Sequence, residues 1–159
     1  MEIERKYLVK CLPESLEQYP HDELEQAYLC TQPTVRVRRI GERYVLTVKE
    51  NIRTLSTAAH NREEEFALSP NSYQRLLVKC DSQVLSKTRY RIDLQQQTGE
   101  ERYMGLTAEL DIFHGRHEGL RLVEVEFPST TAADAFVPPD WFGEDVSDDP
   151  RYRNSYLAS

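Results

Sequence analysis

The 159-residue chain is short of the residues that build several familiar kinds of protein. Its three cysteines, Cys11, Cys30 and Cys80, are odd in number and widely spaced. That pattern fits neither a disulfide framework nor a thiolate zinc site, and predicts buried free thiols. No run approaches the about 20 apolar residues of a membrane-spanning helix. The charged start Glu2-Ile3-Glu4-Arg5-Lys6 is the reverse of a signal peptide's apolar region, so a cytoplasmic location and no membrane partner are expected. Basic excess is lacking too. The net charge of −7 and a pI near 5.2 speak against a nucleic-acid partner, which calls for a basic field. Repeats, low-complexity tracts and serine–histidine or cysteine–histidine motifs are absent from the sequence, which removes nucleophilic hydrolases of that kind. His21, His60, His114 and His117 sit in polar, loop-like contexts, and His114 and His117 lie beside Gly115 and Gly119, a poor setting for a metal pair.

What is present is a globular composition, 39% hydrophobic and 30% charged, long enough for one domain over residues 1–159 with a real core. Short strand-like segments dominate: Glu2–Val9, Gln26–Thr31, Thr34–Ile40, Tyr44–Glu50, Arg62–Leu68, Ser86–Gln96, Met104–Phe113 and Leu120–Phe127. Eight such pieces predict a mainly β protein, a sandwich or barrel. The polar stretch between Glu50 and Arg62 reads as a loop. Leu12–Leu24 reads equally well as helix or loop. Three short helices are expected: one opened by Ser69-Pro70, one capped by Ser129 or Thr130 and stopped by Pro138-Pro139, and one after Asp148-Asp149-Pro150. The segment from about 129 to 159 is thus expected to be helical and to pack on the barrel.

The charges carry the information. Glu2, Glu4 and Lys6 alternate, as do Arg36 and Arg38, Glu63 and Glu65, Lys87 and Arg89, Glu109 and Asp111, and Glu124 and Glu126. Side chains two apart on a strand share a face. A face made only for solubility intersperses its signs, whereas several of these pairs are like charges. Closing the sheet would place one face inside, and an interior lined with unpaired ions cannot stay dry. The eight carboxylates exceed the six bases, with Lys49 among them, by two. About two divalent cations would reverse that sign and suit the face to a polyanion. Metal-dependent chemistry on a phosphate-rich ligand follows.

Taken in order, the blocks Glu2-Ile3-Glu4-Arg5-Lys6, Val35-Arg36-Val37-Arg38, Leu46-Thr47-Val48-Lys49, Glu63-Glu64-Glu65-Phe66, Lys87-Thr88-Arg89-Tyr90, Glu109-Leu110-Asp111 and Leu122-Val123-Glu124-Val125-Glu126-Phe127 resemble the CYTH superfamily, the triphosphate tunnel metalloenzymes. The tail from Trp141-Phe142-Gly143 to Arg151-Tyr152-Arg153-Asn154 is similar to the small bacterial members. The resemblance implies an eight-stranded antiparallel closed barrel whose lumen binds a triphosphate with Mg²⁺ or Mn²⁺, two ions when substrate is bound. It implies Glu2, Glu4, Glu124 and Glu126 as leading metal ligands, helped by Asp111 and Glu109. Lys6, Arg36, Arg38, Lys49, Lys87 and Arg89 would hold phosphoryl oxygens and serve catalysis. Glu63 and Glu65 would lie toward a second metal or the attacking water, unless a one-residue slip turns Glu64 inward instead. The expected reaction is hydrolysis of tripolyphosphate to pyrophosphate and phosphate. Adenylate cyclase, an organic triphosphatase acting on thiamine or nucleoside triphosphates, and a polyphosphate-binding module that does not turn over are the alternatives. Oligomeric state, the preferred metal and the role of Trp141 stay open.

Overall fold

The computed structural model describes residues 3–53 and 59–159, the side chains of 51–53 and 59–61 excepted. Its elements run β1 (Glu4–Val9), β2 (His21–Thr31), β3 (Thr34–Ile40), β4 (Arg43–Arg53), β5 (Ala59–Leu68), α1 (Pro70–Leu77), β6 (Leu85–Asp93), α2 (Leu94–Thr98), β7 (Thr107–Phe113), β8 (Arg121–Glu126), α3 (Thr130–Ala135), β9 (Phe142–Asp145) and α4 (Asn154–Leu157). The protein is mainly β, with short helices. No helix among the described residues is long and apolar enough to cross a membrane.

Two compact units share the chain. One comprises residues 1–22 and 87–152, the other residues 23–86 and 153–159. In the first, the strand order is β6-β7-β8-β1-β9, antiparallel throughout. Its alternation separates two faces. Tyr7, Ile92, Ala108, Leu110, Val123 and Val125 point to a core completed by Tyr103, Phe127, Phe136, Trp141 and Phe142. Arg5 shares that side and ties the C-terminal segment down: its Nη2 donates to Asp145 Oδ2 at 2.7 Å and its Nη1 to the Ala133 carbonyl at 2.8 Å. The alternate residues carry the charges. In the second unit the order is β5-β4-β3-β2, and α1 covers one face through Tyr73, Leu76 and Leu77, packed with Ala27, Val37, Tyr44, Leu46 and Leu68.

Helix α1 starts where the sequence indicates, Ser69 Oγ accepting from Ser72 N at 3.1 Å with Pro70 in the first turn. Ser129 caps α3 in the same way. Other boundaries differ from expectation. The described strands number nine rather than eight, because Phe142–Asp145 pairs with β1 inside a segment expected to be helical. Gly143 permits that approach, since a Cβ there would stand 3.2 Å from the Leu8 carbonyl oxygen. Strand β2 begins at His21, five residues early, after a 3₁₀ turn at Leu16–Gln18. Of the expected loop between Glu50 and Arg62, the described residues are strand, β4 running to Arg53 and β5 starting at Ala59, and the expectation for 54–58 lies outside the described residues. The segment expected as strand to Gln96 ends at Asp93, whose carboxylate accepts from Gln96 N and opens α2. The cysteines are not buried: Cys11 and Cys30 are exposed and Cys80 is half-buried.

Candidate functional site

The first unit's charged face is assembled by register. Across β1 and β8, Glu4 opposes Glu126 and Lys6 opposes Glu124. Across β7 and β8, Glu109 opposes Glu124, and across β6 and β7, Arg89 opposes Asp111. Residues opposed in an antiparallel pair share a face, so Glu4, Lys6, Lys87, Arg89, Glu109, Asp111, Glu124 and Glu126 lie together. Glu2 falls outside the described residues.

At its centre is a buried ion cluster. Asp111 takes Arg89 in a fork, Nε to Oδ1 at 2.8 Å and Nη2 to Oδ2 at 3.0 Å. Lys87 Nζ reaches the same Oδ2 at 2.9 Å, its side chain 0% exposed and lying 5.4 Å from the centre of the Phe113 ring. Arg89 Nη1 spans to Glu109 Oε2 at 2.9 Å. Burial alone would raise the Asp111 pKa; the charge of Lys87, then the hydrogen bond and charge of Arg89, outweigh it and hold it at about 2. Burial works against the Arg89 cation, but Asp111 overcomes it and raises that pKa above the usual arginine value. Beside this cluster Lys6 Nζ pairs with Glu124 Oε1 at 3.0 Å and donates to the Tyr152 carbonyl at 2.8 Å.

The carboxylates thus divide. Both oxygens of Asp111 are engaged by Lys87 and Arg89, whereas Glu4 and Glu126 face each other as like charges at the edge of the cluster. Opposed like charges destabilise a strand pair unless a cation lies between them. These oxygen donors are the type that hard divalent cations take. Among the described residues no three acidic, histidine or cysteine side chains already converge on one point.

The second unit carries the remaining set. Gln26 opposes Arg38, Tyr28 opposes Arg36, Arg36 opposes Thr47, Thr47 opposes Glu65, and Lys49 opposes Glu63. One face of β2 to β5 therefore holds Arg36, Arg38, Lys49, Glu63 and Glu65, and Glu64 points the other way, 3.4 Å from Arg62. Arg38 Nε donates to the buried Gln26 Oε1 at 3.1 Å. Arg36 Nη2 lies 3.5 Å from Thr47 Oγ1, while its buried Nε has no protein partner. A buried donor without an acceptor is costly, and a phosphoryl oxygen is an acceptor of the right kind.

Sequence reasoning passed over Arg91, which continues the alternation of Lys87 and Arg89 on β6 opposite Glu109. It also passed over Gln26, a neutral residue whose only signal is its place two before Tyr28 on a strand. Trp141 lies in the core, its Nε1 donating to Gln97 Oε1 at 3.0 Å and its ring against Phe142. His114 is hydrogen-bonded to Thr88, whose side chain alternates away from Lys87 and Arg89.

The chain matches no family model. It is 39% identical to an inorganic triphosphatase from Nitrosomonas europaea, covering 99% of this chain and 96% of that one. An inorganic triphosphatase from Acetivibrio thermocellus is 35% identical, over 79% of this chain and 71% of that protein. A solved structure of an inorganic triphosphatase superposes with a TM-score of 0.75 at 36% identity, covering 99% and 94% of the two chains.

Proposed function

The chain belongs to the inorganic triphosphatase family of the CYTH superfamily, and we propose that it hydrolyses tripolyphosphate to pyrophosphate and phosphate with Mg²⁺ or Mn²⁺. The observation that carries the metal requirement is the register, which sets Glu4 against Glu126 and Glu109 against Glu124 on a face that also holds Lys6 and Arg89. Glu4, Glu109, Glu124 and Glu126 would hold the cations, with Glu2 continuing the alternation. Asp111 acts one step back, keeping Lys87 and Arg89 charged and fixed. When bound, divalent cations neutralise charge gathering on the phosphoryl oxygens and acidify water.

The protein's own work is positioning and charge. Lys6, Lys87 and Arg89 on the face of the first unit, and Arg36, Arg38 and Lys49 on the face of the second, are each donors able to hold non-bridging oxygens. Glu63 and Glu65 are carboxylates able to orient an attacking water and take up its proton. A bond forms from the water oxygen to the terminal phosphorus as the bridging P–O bond breaks, and that electron pair leaves on pyrophosphate. Arginine suits the role because it stays charged while donating two parallel bonds.

The test is phosphate release from tripolyphosphate, ATP, GTP, thiamine triphosphate and pyrophosphate, each with Mg²⁺, Mn²⁺ or excess chelator. Tripolyphosphate should be the best substrate and chelator should abolish turnover. Binding without orthophosphate release, cyclic nucleotide from ATP, or full activity in chelator would refute the proposal.

A further inference from the structure

Resting on that reading of the site, we infer that Arg91 is the residue that senses the third phosphoryl group and so separates triphosphate from diphosphate. Strand β6 carries Lys87, Arg89 and Arg91 at alternate positions, so one face presents a base about every 6.7 Å. That step is comparable to the reach of two successive phosphoanhydride bridges. The first two bases are already committed within the protein. Lys87 is closed around Asp111, and each of the three Arg89 nitrogens donates to Asp111 or Glu109.

Arg91 is placed differently. Its Nη2 stands 2.9 Å from Asp22 Oδ2, an ion pair in which both side chains remain substantially exposed, 41% and 36%. The tether orients the guanidinium without burying it. The same side chain lines an open recess of about 520 Å³ with Glu109, Glu126, Thr107 and Phe127. Two carboxylates and one guanidinium give that wall a net negative charge, so it disfavours a bare anion and accepts one that arrives with a divalent cation. A terminal phosphoryl group offers three non-bridging oxygens to the arginine fork, where an internal one offers two. A diphosphate held beside Arg89 ends one phosphoanhydride bridge short of Arg91.

The experiment is calorimetric titration of the non-hydrolysable imido analogues of triphosphate and of pyrophosphate, with Mg²⁺, into wild type, Arg91→Ala and Arg91→Lys. Arg91→Ala should weaken the triphosphate analogue by about tenfold or more and the diphosphate analogue by less than about twofold. Arg91→Lys should fall between, since it keeps the charge and loses the fork, and it carries the comparison should the alanine variant fold poorly. Equal weakening of both ligands, or no weakening of the triphosphate analogue, overturns the inference while wild-type turnover of tripolyphosphate leaves the enzymatic reading standing. A wild type that neither binds nor cleaves tripolyphosphate overturns both.

Discussion

Substituting Asp111 by Asn tests whether the buried cluster is the keystone of the first unit. The change is nearly isosteric, but it removes the charge that Lys87 Nζ meets at 2.9 Å and half of the acceptor fork that Arg89 grips. Worse, an amide group turns its own donors toward two cations. Lys87 has no exposed side-chain surface, and Arg89 is 14% exposed, so water cannot replace the lost carboxylate. Breaking a buried ion pair from one side costs about 3–5 kcal/mol. For a chain of this length that converts to a Tm fall of roughly 6–20 °C. The contrasting variant is Lys87→Met, which keeps the bidentate Arg89–Asp111 pair and replaces a buried ammonium by an apolar side chain of similar length. It should cost less than about 2 kcal/mol, because Asp111 keeps the bidentate Arg89 as its counter-charge and is not left buried alone. Thermal and urea unfolding followed by circular dichroism measure both. Equal costs for the two variants, or an Asp111→Asn cost below about 1 kcal/mol, would refute the idea that Asp111 compensates two buried cations.

Three further outcomes follow from the same geometry. Glu126→Gln should remove the like-charge opposition with Glu4, leave Tm unchanged or slightly raised, and reduce turnover at least a hundredfold at fixed Mg²⁺; a lowered Tm with normal turnover would contradict the cation assignment. On acidification, the native Asp111 pKa of about 2 lies below its ordinary value of 3.8, so its contribution of about 2 kcal/mol is present above pH 3.8 and drains away between there and pH 2, which acid titration of stability at fixed salt will show. At the other end, burial lifts the Tyr7 hydroxyl to about 12 against the opposing pull of Arg5, so stability should fall as pH rises from 10 toward 12, and Tyr7→Phe should flatten that limb.

Much of the charged face was legible because a strand has period two. Once Glu4 and Lys6, Lys87 and Arg89, or Glu124 and Glu126 are placed on strands, each set must share a side, whatever the tertiary detail. The same count, carried one step along β6, reaches Arg91. What the alternation cannot supply is register between strands. Three acids in a row at Glu63-Glu64-Glu65 leave two faces open, and only the pairing of Lys49 with Glu63 and Thr47 with Glu65 assigns them. Nor does spacing reveal that Lys87 and Arg89 converge on one carboxylate, because Asp111 comes from a strand more than 20 positions away. Strand β9 was hidden for another reason: its four residues, Phe142-Gly143-Glu144-Asp145, have no alternation, and they are strand because β1 offers backbone partners that a glycine can approach. Helix α2 was masked by the apolar residues before it, and its one local signal was the capping Asp93.

The division of charge between the units makes a statement about order of binding. The first unit's face carries Glu4, Asp93, Glu109, Asp111, Glu124 and Glu126 against Lys6, Lys87, Arg89 and Arg91, an acidic excess of two. The second unit's face carries Arg36, Arg38, Arg43 and Lys49 against Glu63 and Glu65, a basic excess of two. Every base on the first face is already paired with a carboxylate, Lys6 with Glu124, Lys87 and Arg89 with Asp111 and Arg91 with Asp22, so a polyanion arriving without a cation meets carboxylate charge that these bases already share. A unit-charge contact at about 4 Å is worth about 4 kcal/mol at an effective dielectric near 20, so one unneutralised repulsion suffices to lower affinity by more than a hundredfold. Cation should therefore bind first, and measurably, in the absence of phosphate. Calorimetry should detect Mn²⁺ or Mg²⁺ binding to the wild type alone, weakened by Glu126→Gln, and tripolyphosphate affinity should drop at least a hundredfold in chelator. Arg38→Ala, by contrast, should weaken the polyanion and leave the cation titration untouched, since Arg38 is braced by Gln26 and stands on the face with basic excess. Tripolyphosphate binding of equal strength with and without cation would show that the bases act alone, and that the opposed carboxylates serve some purpose other than metal.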